Sequence, residues 1–339
     1  MPNNKLKVAS LFAGAGGLDL GFKRAGFQIV WANDNEEDSC ATYATNIGDH
    51  IICDDIENID LSTIPDVDIV IGGFPCQGFS VANTGRSVDD SRNILYKTFV
   101  ATVKEKQPKY FLAENVKGIL SLAKGQVFKL ILKEFEEQGY VCRYALVNSA
   151  DYGVPQRRER VFIWGVRKDL DTIHVDFPPP RTHENSHISI GEALKDIPDP
   201  DKENSLENHV YSAFKLKFNG YIGHRKIDPD KPSPTITARG DKKGGAVIIH
   251  HPNNERRVTC REAALIQGFP LDYKFEGAMT SVYRQIGNAV PSQLAEAVAL
   301  HIKTHWKKIQ EEPAYSKEKV SSSQPVRIGR IQQEALQLF

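Results

Sequence analysis

The stretch Lys7–Leu18, which reads KVASLFAGAGGL, joins a short apolar run to a glycine-rich turn and then to an amphipathic segment. A five-residue apolar run that ends near glycine is typical of a buried strand. The glycines allow a tight turn, which brings backbone N–H groups and a helix N-terminus against a nucleoside-bearing ligand. The stretch therefore predicts a strand, a ligand-binding turn and a helix. A glycine turn with a purely structural role is the alternative on these residues alone.

The same alternation of strand and helix patterns continues to Arg167. Seven short apolar runs predict strands at Lys7–Leu11, Gln28–Ala32, Ile51–Cys53, Val67–Ile71, Tyr110–Ala113, Val141–Val147 and Val161–Val166. Helical periodicity predicts helices at Leu18–Ala25, Glu36–Asn46, Ile94–Lys106 and Val127–Gln138. This order predicts an α/β fold built on a doubly wound, mostly parallel sheet.

The regular pattern is lost after Arg167, where prolines interrupt a polar, histidine-rich stretch. We therefore expect a catalytic and cofactor-binding domain at residues 1–180, completed by residues 285–312. A smaller domain of irregular β and loop structure, with its hinge, is expected at residues 181–284. Residues 313–339 are polar, which predicts a flexible tail.

Two helices are predicted in the last third of the chain. Thr259 and Glu262 form the Thr-x-x-Glu pattern of a helix capping box, followed by an apolar run. A final helix is predicted from Ser292 to about Ile309.

The 339 residues include 43 Lys and Arg and 43 Asp and Glu, so the formal net charge is zero. The charges are unevenly distributed: Trp31–Val70 holds eleven carboxylates without any Lys or Arg, whereas Lys215–Glu262 holds eleven Lys or Arg against five acids. A basic segment in a neutral chain indicates a phosphate-bearing partner. A merely solvated basic surface explains the charge equally well.

The five cysteines are odd in number and show no CxxC spacing. This pattern argues against a disulfide framework and against a zinc site. No apolar run approaches the roughly 18 residues that a membrane span needs. We expect an intracellular, reduced protein that binds no metal and does not enter a membrane.

Cys76 lies in the stretch Gly72–Ser80, which reads GGFPCQGFS and follows the predicted strand Val67–Ile71. Ligands and chemistry collect at the carboxyl ends of strands in open α/β sheets. Cysteine is usually buried, so a thiol held by Gly and Pro at such an end is a candidate nucleophile.

Charged residues are expected at two neighbouring strand ends. Glu114 follows the apolar strand Tyr110–Ala113, where a carboxylate needs a partner. Arg158 and Arg160 alternate at the start of another strand and therefore point to one face. The alternatives are a capping role for Glu114 and solvated or salt-bridged arginines.

Acidic residues also end the second and third predicted strands. Asp34 comes about 20 residues after the glycine turn, where a carboxylate meets ribose hydroxyls. Asp55 and Ile56 could together hold an adenine ring, or Asp55 could cap a helix. Together with the turn, these acids favour an adenosine-type cofactor.

Six motifs occur in an order that resembles the DNA (cytosine-5) methyltransferases, in particular the small prokaryotic modification enzymes. They are Phe12–Gly16 (FAGAG), Gly73–Ser80 (GFPCQGFS), Glu114–Val116 (ENV), Gln156–Arg160 (QRRER), Arg261–Pro270 (REAALIQGFP) and Gln285–Pro291 (QIGNAVP). The resemblance extends from Val8 to about Ile309 and is interrupted by a variable region.

The resemblance implies a mechanism in which Cys76 adds to C6 of cytosine and Glu114 holds N3 and the exocyclic amine. Arg158 and Arg160 would orient the base. It also implies that S-adenosylmethionine is the methyl donor, held by Phe12, Gly14, Gly16, Asp34, Asn35, Asp55, Ile56, Pro75, Leu95, Asn288 and Val290. The family often has an aromatic or bulky apolar residue at the position of Asn35, so this chain departs from the pattern there.

Double-stranded DNA is the implied partner, with the target base rotated out of the helix. Contacts are expected from the loop after Cys76 and from the stretch Pro232–Gly240, through Gln77, Ser80, Arg86, Thr235, Ile236 and Arg239. The resemblance further implies a cytoplasmic, nucleoid-associated monomer that modifies DNA alongside a separate cognate restriction endonuclease. Alternatives are a tRNA cytosine-5 methyltransferase, a nicotinamide-dependent oxidoreductase and a DNA-binding protein without catalysis.

Overall fold

The computed structural model describes residues 5–74, 94–171, 173, 175–202, 205–213, 215–220, 224–238 and 249–311. Within these residues, seven strands form one sheet: β1 (Lys7–Leu11), β2 (Gln28–Asp34), β3 (Ile51–Cys53), β4 (Ile69–Gly72), β5 (Tyr110–Val116), β6 (Tyr140–Asn148) and β7 (Glu159–Arg167). The helices are α1 (Gly17–Arg24), α2 (Glu37–Asn46), α3 (Ile94–Lys106), α4 (Gln126–Glu137), α5 (Ile190–Leu194), α6 (Cys260–Ile266), α7 (Met279–Asn288) and α8 (Ser292–Glu311).

The strand order across the sheet is β3-β2-β1-β4-β5-β7-β6. Strands β1 to β5 pair in parallel, whereas β7 is antiparallel to both β5 and β6. The chain runs outward in one direction from β1 to β3 and in the other from β4, so the switch point lies between β1 and β4. Ligands bind at such a point, outside the carboxyl ends of the strands. The predicted α/β fold with a mostly parallel sheet is confirmed.

The predicted strands are all present, and most are longer than their apolar runs. The clearest case is β5, which was predicted to end at Ala113 and continues to Val116. Glu114, Asn115 and Val116 remain in the strand because they pair with Phe162, Val161 and Arg160 of β7. This polar strand end is stable because its backbone is paired with the neighbouring strand β7.

The two faces of the sheet bury two separate apolar clusters, because side chains alternate along each strand. Val8, Ile69 and Ile71 pack on the face covered by α1 and α8. Ala9 and Val70 pack on the opposite face with residues of α3 and α4. Both faces are covered, as a parallel sheet requires.

A third apolar cluster joins the later part of the chain to the glycine-turn side of the sheet. It includes Ile190, Ile236, Phe269 and Tyr273, packed with Tyr43 of α2. The described residues between β7 and α6 contain a 3-10 helix at Lys168–Leu170, the short helix α5 and an isolated bridge between His250 and Arg257. A second isolated bridge joins Ser233 to Gln156 before β7, and the rest is irregular. The capping box at α6 is confirmed, since Glu262 N–H donates to Thr259 Oγ1 and Thr259 N–H donates to Glu262 Oε2.

None of the described helices is both long enough and apolar enough to span a membrane.

Candidate active site

A cavity of about 650 Å³ lies at the switch point of the sheet. Its walls come from the segments that follow β1, β2, β3 and β4, from the end of β5, and from the end of α7. This volume is in the range of pockets that bind small molecules.

The glycine turn after β1 forms one wall of this cavity. Phe12 and Gly14 both have a φ of +55°, the left-handed conformation that glycine adopts at little cost. A Cβ at Gly14 would meet no atom within 4 Å, so the space beside this residue is open. The turn can therefore receive a ligand against its backbone.

Gly16, a predicted cofactor contact, packs closely against α2, and its contact with the cofactor stays a prediction. It does not line the cavity, unlike Gly14 and Gly17. A Cβ at Gly16 would lie 2.9 Å from Ile47 Cγ1, and its φ is +80°. The absence of a side chain at Gly16 therefore allows the turn to pack closely against α2. Gly17, the next residue, lines the cavity.

Asp34, at the end of β2, is held by backbone donors beside the turn. The Gly14 N–H donates to Asp34 Oδ2 at 2.8 Å, and the Glu36 N–H donates to Asp34 Oδ1 at 3.0 Å. Burial raises the pKa of Asp34, and these two hydrogen bonds oppose that increase. The carboxylate is thus fixed on the cavity wall, with Asn35 next to it.

Asp55 and Ile56 line the same end of the cavity. Asp55 also caps a short 3-10 helix, because its Oδ1 accepts the Glu57 N–H at 3.1 Å. Ile56 is buried. The capping alternative is therefore confirmed, and it leaves both residues at the cavity.

The remaining described candidates for cofactor binding converge on this cavity. Leu95 at the start of α3, Asn288 at the end of α7, and Val290 all line it. Gly17 lies so close to this last segment that a Cβ there would come 2.3 Å from the Val290 carbonyl oxygen. The glycine turn and the segment after α7 therefore form one continuous wall.

Glu114 and Arg160 form an ion pair at the other end of the cavity, with Arg160 Nε 3.0 Å from Glu114 Oε1. The two side chains come from β5 and β7, where Arg160 pairs with Val116 two residues beyond Glu114. Burial raises the pKa of Glu114, while Arg160 and then Arg158 oppose the increase.

Gly73 brings the backbone after β4 close to this carboxyl group. A Cβ at Gly73 would lie 2.8 Å from Glu114 Oε2. The absence of a side chain at Gly73 therefore leaves room for Glu114 just before the chain enters Pro75 and Cys76.

Arg158 is 1% exposed and lies immediately before β7. Its Nη1 donates to the Ile236 carbonyl and its Nη2 to the Gly287 carbonyl, both at 2.9 Å. Burial and the nearby Arg160 lower the pKa of Arg158, and Glu114 opposes this. Arg158 lines the cavity, but its hydrogen bonds connect the strand to a distant loop and to α7.

The predicted DNA-contacting pair Thr235 and Ile236 follows the bridge between Gln156 and Ser233. Thr235 Oγ1 donates to the Arg157 carbonyl at 2.7 Å. Ile236 is 3% exposed and packs in the third apolar cluster. Its side chain is therefore part of the core, whereas the next residues, Thr237 and Ala238, reach the cavity.

Six predicted site residues lie outside the residues that the structure describes: Pro75, Cys76, Gln77, Ser80, Arg86 and Arg239. The described residue nearest to Cys76 on its N-terminal side is Phe74. Asn115 Nδ2 donates to the Phe74 carbonyl at 2.9 Å, which ties the end of β4 to the end of β5. The segment leading to Cys76 therefore starts beside Glu114.

Sequence reasoning missed Asp19, in the first turn of α1. Asp19 is 0% exposed and is among the residues that line the cavity. Its Oδ2 accepts from Ser10 Oγ and its Oδ1 from Tyr43 Oη, each at 2.9 Å. An acid directly after the Gly-Gly-Leu sequence was the available signal, but acids are common in first turns of helices.

Cys260 is a packed thiol. It is fully buried at the start of α6, and burial raises its pKa to about 12. A thiol in this state is not an activated nucleophile.

Comparison with known proteins gives a consistent result. The chain is 41% identical over 319 residues to the type II methyltransferase M.NgoFVII of Neisseria gonorrhoeae, covering 86% of this chain and 84% of the relative. It is 39% identical over 325 residues to the type II methyltransferase M.FnuDI of Fusobacterium nucleatum, covering 88% and 94%. A DNA modification methyltransferase encoded within an E. coli prophage has a similar structure, with a TM-score of 0.71 and 25% identity over 89% of this chain and 100% of that one.

The sheet and these neighbours define a methyltransferase fold. Residues 6–304 match the family described as C-5 cytosine-specific DNA methylase, and the chain belongs to that family. The protein is thus a DNA (cytosine-5) methyltransferase, as the motif order predicted.

Proposed function

We propose that the protein methylates C5 of a flipped-out cytosine in a specific short sequence of duplex DNA, with S-adenosylmethionine as the donor. One observation carries this proposal. Acidic residues that can bind a nucleoside lie at one end of the cavity, and the Glu114–Arg160 ion pair lies at the other. One cavity can therefore hold the methyl donor and the base side by side.

The donor fits the described residues. The glycine turn leaves open space at Gly14, and the fixed Asp34 carboxylate can accept hydrogen bonds from ribose hydroxyls. Ile56 offers an apolar contact for adenine, and Asn288 and Val290 close the opposite wall. When bound, S-adenosylmethionine would supply the methyl group that cytosine C5 accepts.

Cys76 is the proposed nucleophile. C5 of cytosine is a weak nucleophile, and addition of a thiolate to C6 turns the ring into an enamine whose C5 can take the methyl group. Loss of the C5 proton then expels the thiolate and restores the aromatic ring. A free thiol is only a few per cent ionised at neutral pH, so positive charge near Cys76 would favour the reaction.

Glu114 is proposed to bind N3 and the exocyclic amine of the base. Because burial raises its pKa, this carboxyl keeps a proton to higher pH than a free glutamate, and the protonated form can donate to N3. Arg160 is held against Glu114 and is available to orient the base. Arg158 supports this site by fixing the backbone around it.

The division of the chain is part of the proposal. Residues 1–180 with 285–312 would perform catalysis, and residues 181–284 would recognise the target through the stretch that contains Thr235 and Arg239. The type II methyltransferases that the chain resembles support a role as the modification component of a restriction–modification system. We further propose a cytoplasmic, monomeric enzyme with a separate endonuclease as its cognate partner.

The proposal is tested by incubating the protein with methyl-labelled donor and either genomic duplex DNA or tRNA. We expect label in DNA cytosines with the wild-type protein and none with Cys76→Ser, which should still bind DNA. The control is Cys53→Ser, since Cys53 is exposed on the edge strand β3 away from the base site. Label in tRNA alone, or full activity of Cys76→Ser, would refute the proposal.

A further inference from the structure

Asp19 is a buried acid whose described partners carry no charge. Its carboxylate accepts hydrogen bonds from the hydroxyls of Ser10 and Tyr43, and no ion pair reaches it within the described part of the chain. Burying a carboxylate without a cation is costly, because the lost hydration is not replaced by an opposite charge. Another source of positive charge is therefore expected nearby.

The cavity beside Asp19 is acidic at the end formed by the turn and β2. Asp34, Glu36, Asp54 and Asp55 line this end together with Asp19, and Trp31–Val70 contains no Lys or Arg. Among the residues that the structure describes, the arginines lining the cavity are Arg158 and Arg160, which lie beside Glu114 at the other end. This acidic end, which we call the donor end because the methyl donor is proposed to bind there, therefore favours a cationic ligand.

We propose that Asp19 is the counter-charge for the cationic methyl donor and makes the protein bind S-adenosylmethionine more tightly than S-adenosylhomocysteine. The two molecules share one skeleton, but the donor carries a sulfonium charge that the product lacks. An ionised carboxylate in a low-dielectric wall distinguishes them by charge. This inference rests on the proposed function, because it assumes that the cavity binds the donor.

The protonation of Asp19 makes this preference depend on pH. Burial raises the pKa of Asp19 to about 6, while the hydrogen bonds from Tyr43 and Ser10 oppose the increase and Asp34 adds to it. A bound cation favours the ionised form, so binding of the donor should release a proton when the pH is near 6. Affinity for the donor should then rise about tenfold from pH 5 to pH 7, whereas affinity for the product, which lacks the sulfonium charge, should change much less.

Other titratable groups face Asp19 from the elements packed around it. Asp34 at the end of β2 also has a raised pKa. It would bind the ribose, which the donor and the product share, so its titration would change the affinity for both ligands alike. His50 Nε2 is 3.1 Å from Tyr43 Oη, and burial lowers the pKa of this histidine. Burial raises the pKa of Tyr43 and of Tyr273, so neither phenol ionises in this range.

The experiment is isothermal titration of the DNA-free protein with S-adenosylmethionine and with S-adenosylhomocysteine from pH 5 to pH 7. Repeating it in buffers of different ionisation enthalpy counts the protons released. Wild type should gain about tenfold in its preference for the donor across this range. Asp19→Asn should show the same preference for the donor over the product at every pH. It should also lack the proton release that the wild type shows on binding the donor.

Tyr43→Phe tests the same proposal if Asp19→Asn fails to fold. It removes a hydrogen bond that lowers the pKa of Asp19, so the midpoint of the pH dependence should move upward. Asp66→Asn, which changes an exposed acid, is the matched control and should behave like wild type.

The outcomes separate the two proposals. A folded wild-type protein that binds neither ligand at any pH refutes the proposed function. Binding of the donor with an unchanged pH dependence in Asp19→Asn, or with an unmoved midpoint in Tyr43→Phe, overturns the role of Asp19 alone.

Discussion

At the scale of single residues, Asp19 and Glu114 lie in one cavity and have raised pKa values for the same physical reason, with different consequences. Burial raises the pKa of both Asp19 and Glu114. Arg160 lies 3.0 Å from Glu114, so this acid has a cation in the chain itself, whereas the side chains that donate to Asp19 within the described residues are the hydroxyls of Ser10 and Tyr43. We propose the first acid as the partner of the base and the second as the partner of a cationic ligand.

Replacing Glu114 by Gln should lower turnover by a factor of about 10² to 10⁴, the usual contribution of a general acid or base. The amide keeps the size of the side chain but cannot transfer a proton, and it loses the charge that pairs with Arg160. Turnover is measured at saturating DNA and donor, with donor affinity measured separately and expected to stay unchanged. Glu137→Gln, an exposed change on α4, serves as the control, and turnover of Glu114→Gln within tenfold of that control would contradict the assignment.

Part of the cavity lining could be predicted because several of its residues lie at or just beyond the ends of strands. Asp34 and Glu114 belong to short polar sequences at the ends of apolar runs, and parallel strands end at one edge of the sheet. The packing of Gly16 against α2 and of Ile236 in the third apolar cluster could not be predicted, because a motif specifies residue types and not the side on which they pack. Their predicted contacts with the cofactor and with DNA stay predictions. Asp19 was missed for a related reason: only the fold shows that a first-turn acid is enclosed by β1 and α2.

At the scale of elements, strand β7 is joined to the later part of the chain by a series of hydrogen bonds. Arg157 N–H donates to the Ser233 carbonyl, Ser233 N–H to the Pro155 carbonyl, and Ile236 N–H to Gln156 Oε1. Gly287 allows the backbone of α7 to approach closely, since a Cβ there would lie 2.5 Å from the Ala238 nitrogen. Arg158 completes this junction through the Ile236 and Gly287 carbonyls.

Arg158→Lys should destabilise this junction even though it keeps the positive charge. An ammonium group cannot reproduce the two parallel guanidinium bonds, so one buried carbonyl loses its partner, at a cost of about 1–3 kcal/mol. Urea denaturation measures this change in the free energy of unfolding. Arg157→Lys is the matched control because the Arg157 side chain is exposed; equal stability of the two variants would show that the junction does not depend on Arg158.

The elements themselves were easier to predict than the connections between them. Apolar runs and helical periods identified all seven strands and the helices from α1 to α4, because these patterns depend on near neighbours in the sequence. The antiparallel placement of β7 between β5 and β6 depends on pairings between distant residues, such as Val116 with Arg160. Such pairings produce no periodic pattern in the sequence, so the order of the strands could be read only from the structure.

At the scale of the whole molecule, a neutral chain separates its acidic and basic residues along the sequence. The acid-rich stretch Trp31–Val70 supplies much of the donor end of the cavity, and the basic stretch Lys215–Glu262 belongs to the proposed recognition region. The first suits a cationic cofactor and the second suits DNA phosphates. A net charge of zero therefore conceals one acid-rich and one basic stretch of the sequence.

The most direct test of the proposed chemistry is covalent trapping on a target duplex that contains 5-fluorocytosine. Fluorine at C5 cannot leave as a proton does, so the thiolate should remain attached to C6 after methyl transfer. With S-adenosylmethionine present, we expect a stable protein–DNA adduct whose mass includes one methyl group and whose modified peptide contains Cys76. A folded protein that forms no adduct, or that attaches through another residue, would contradict the account.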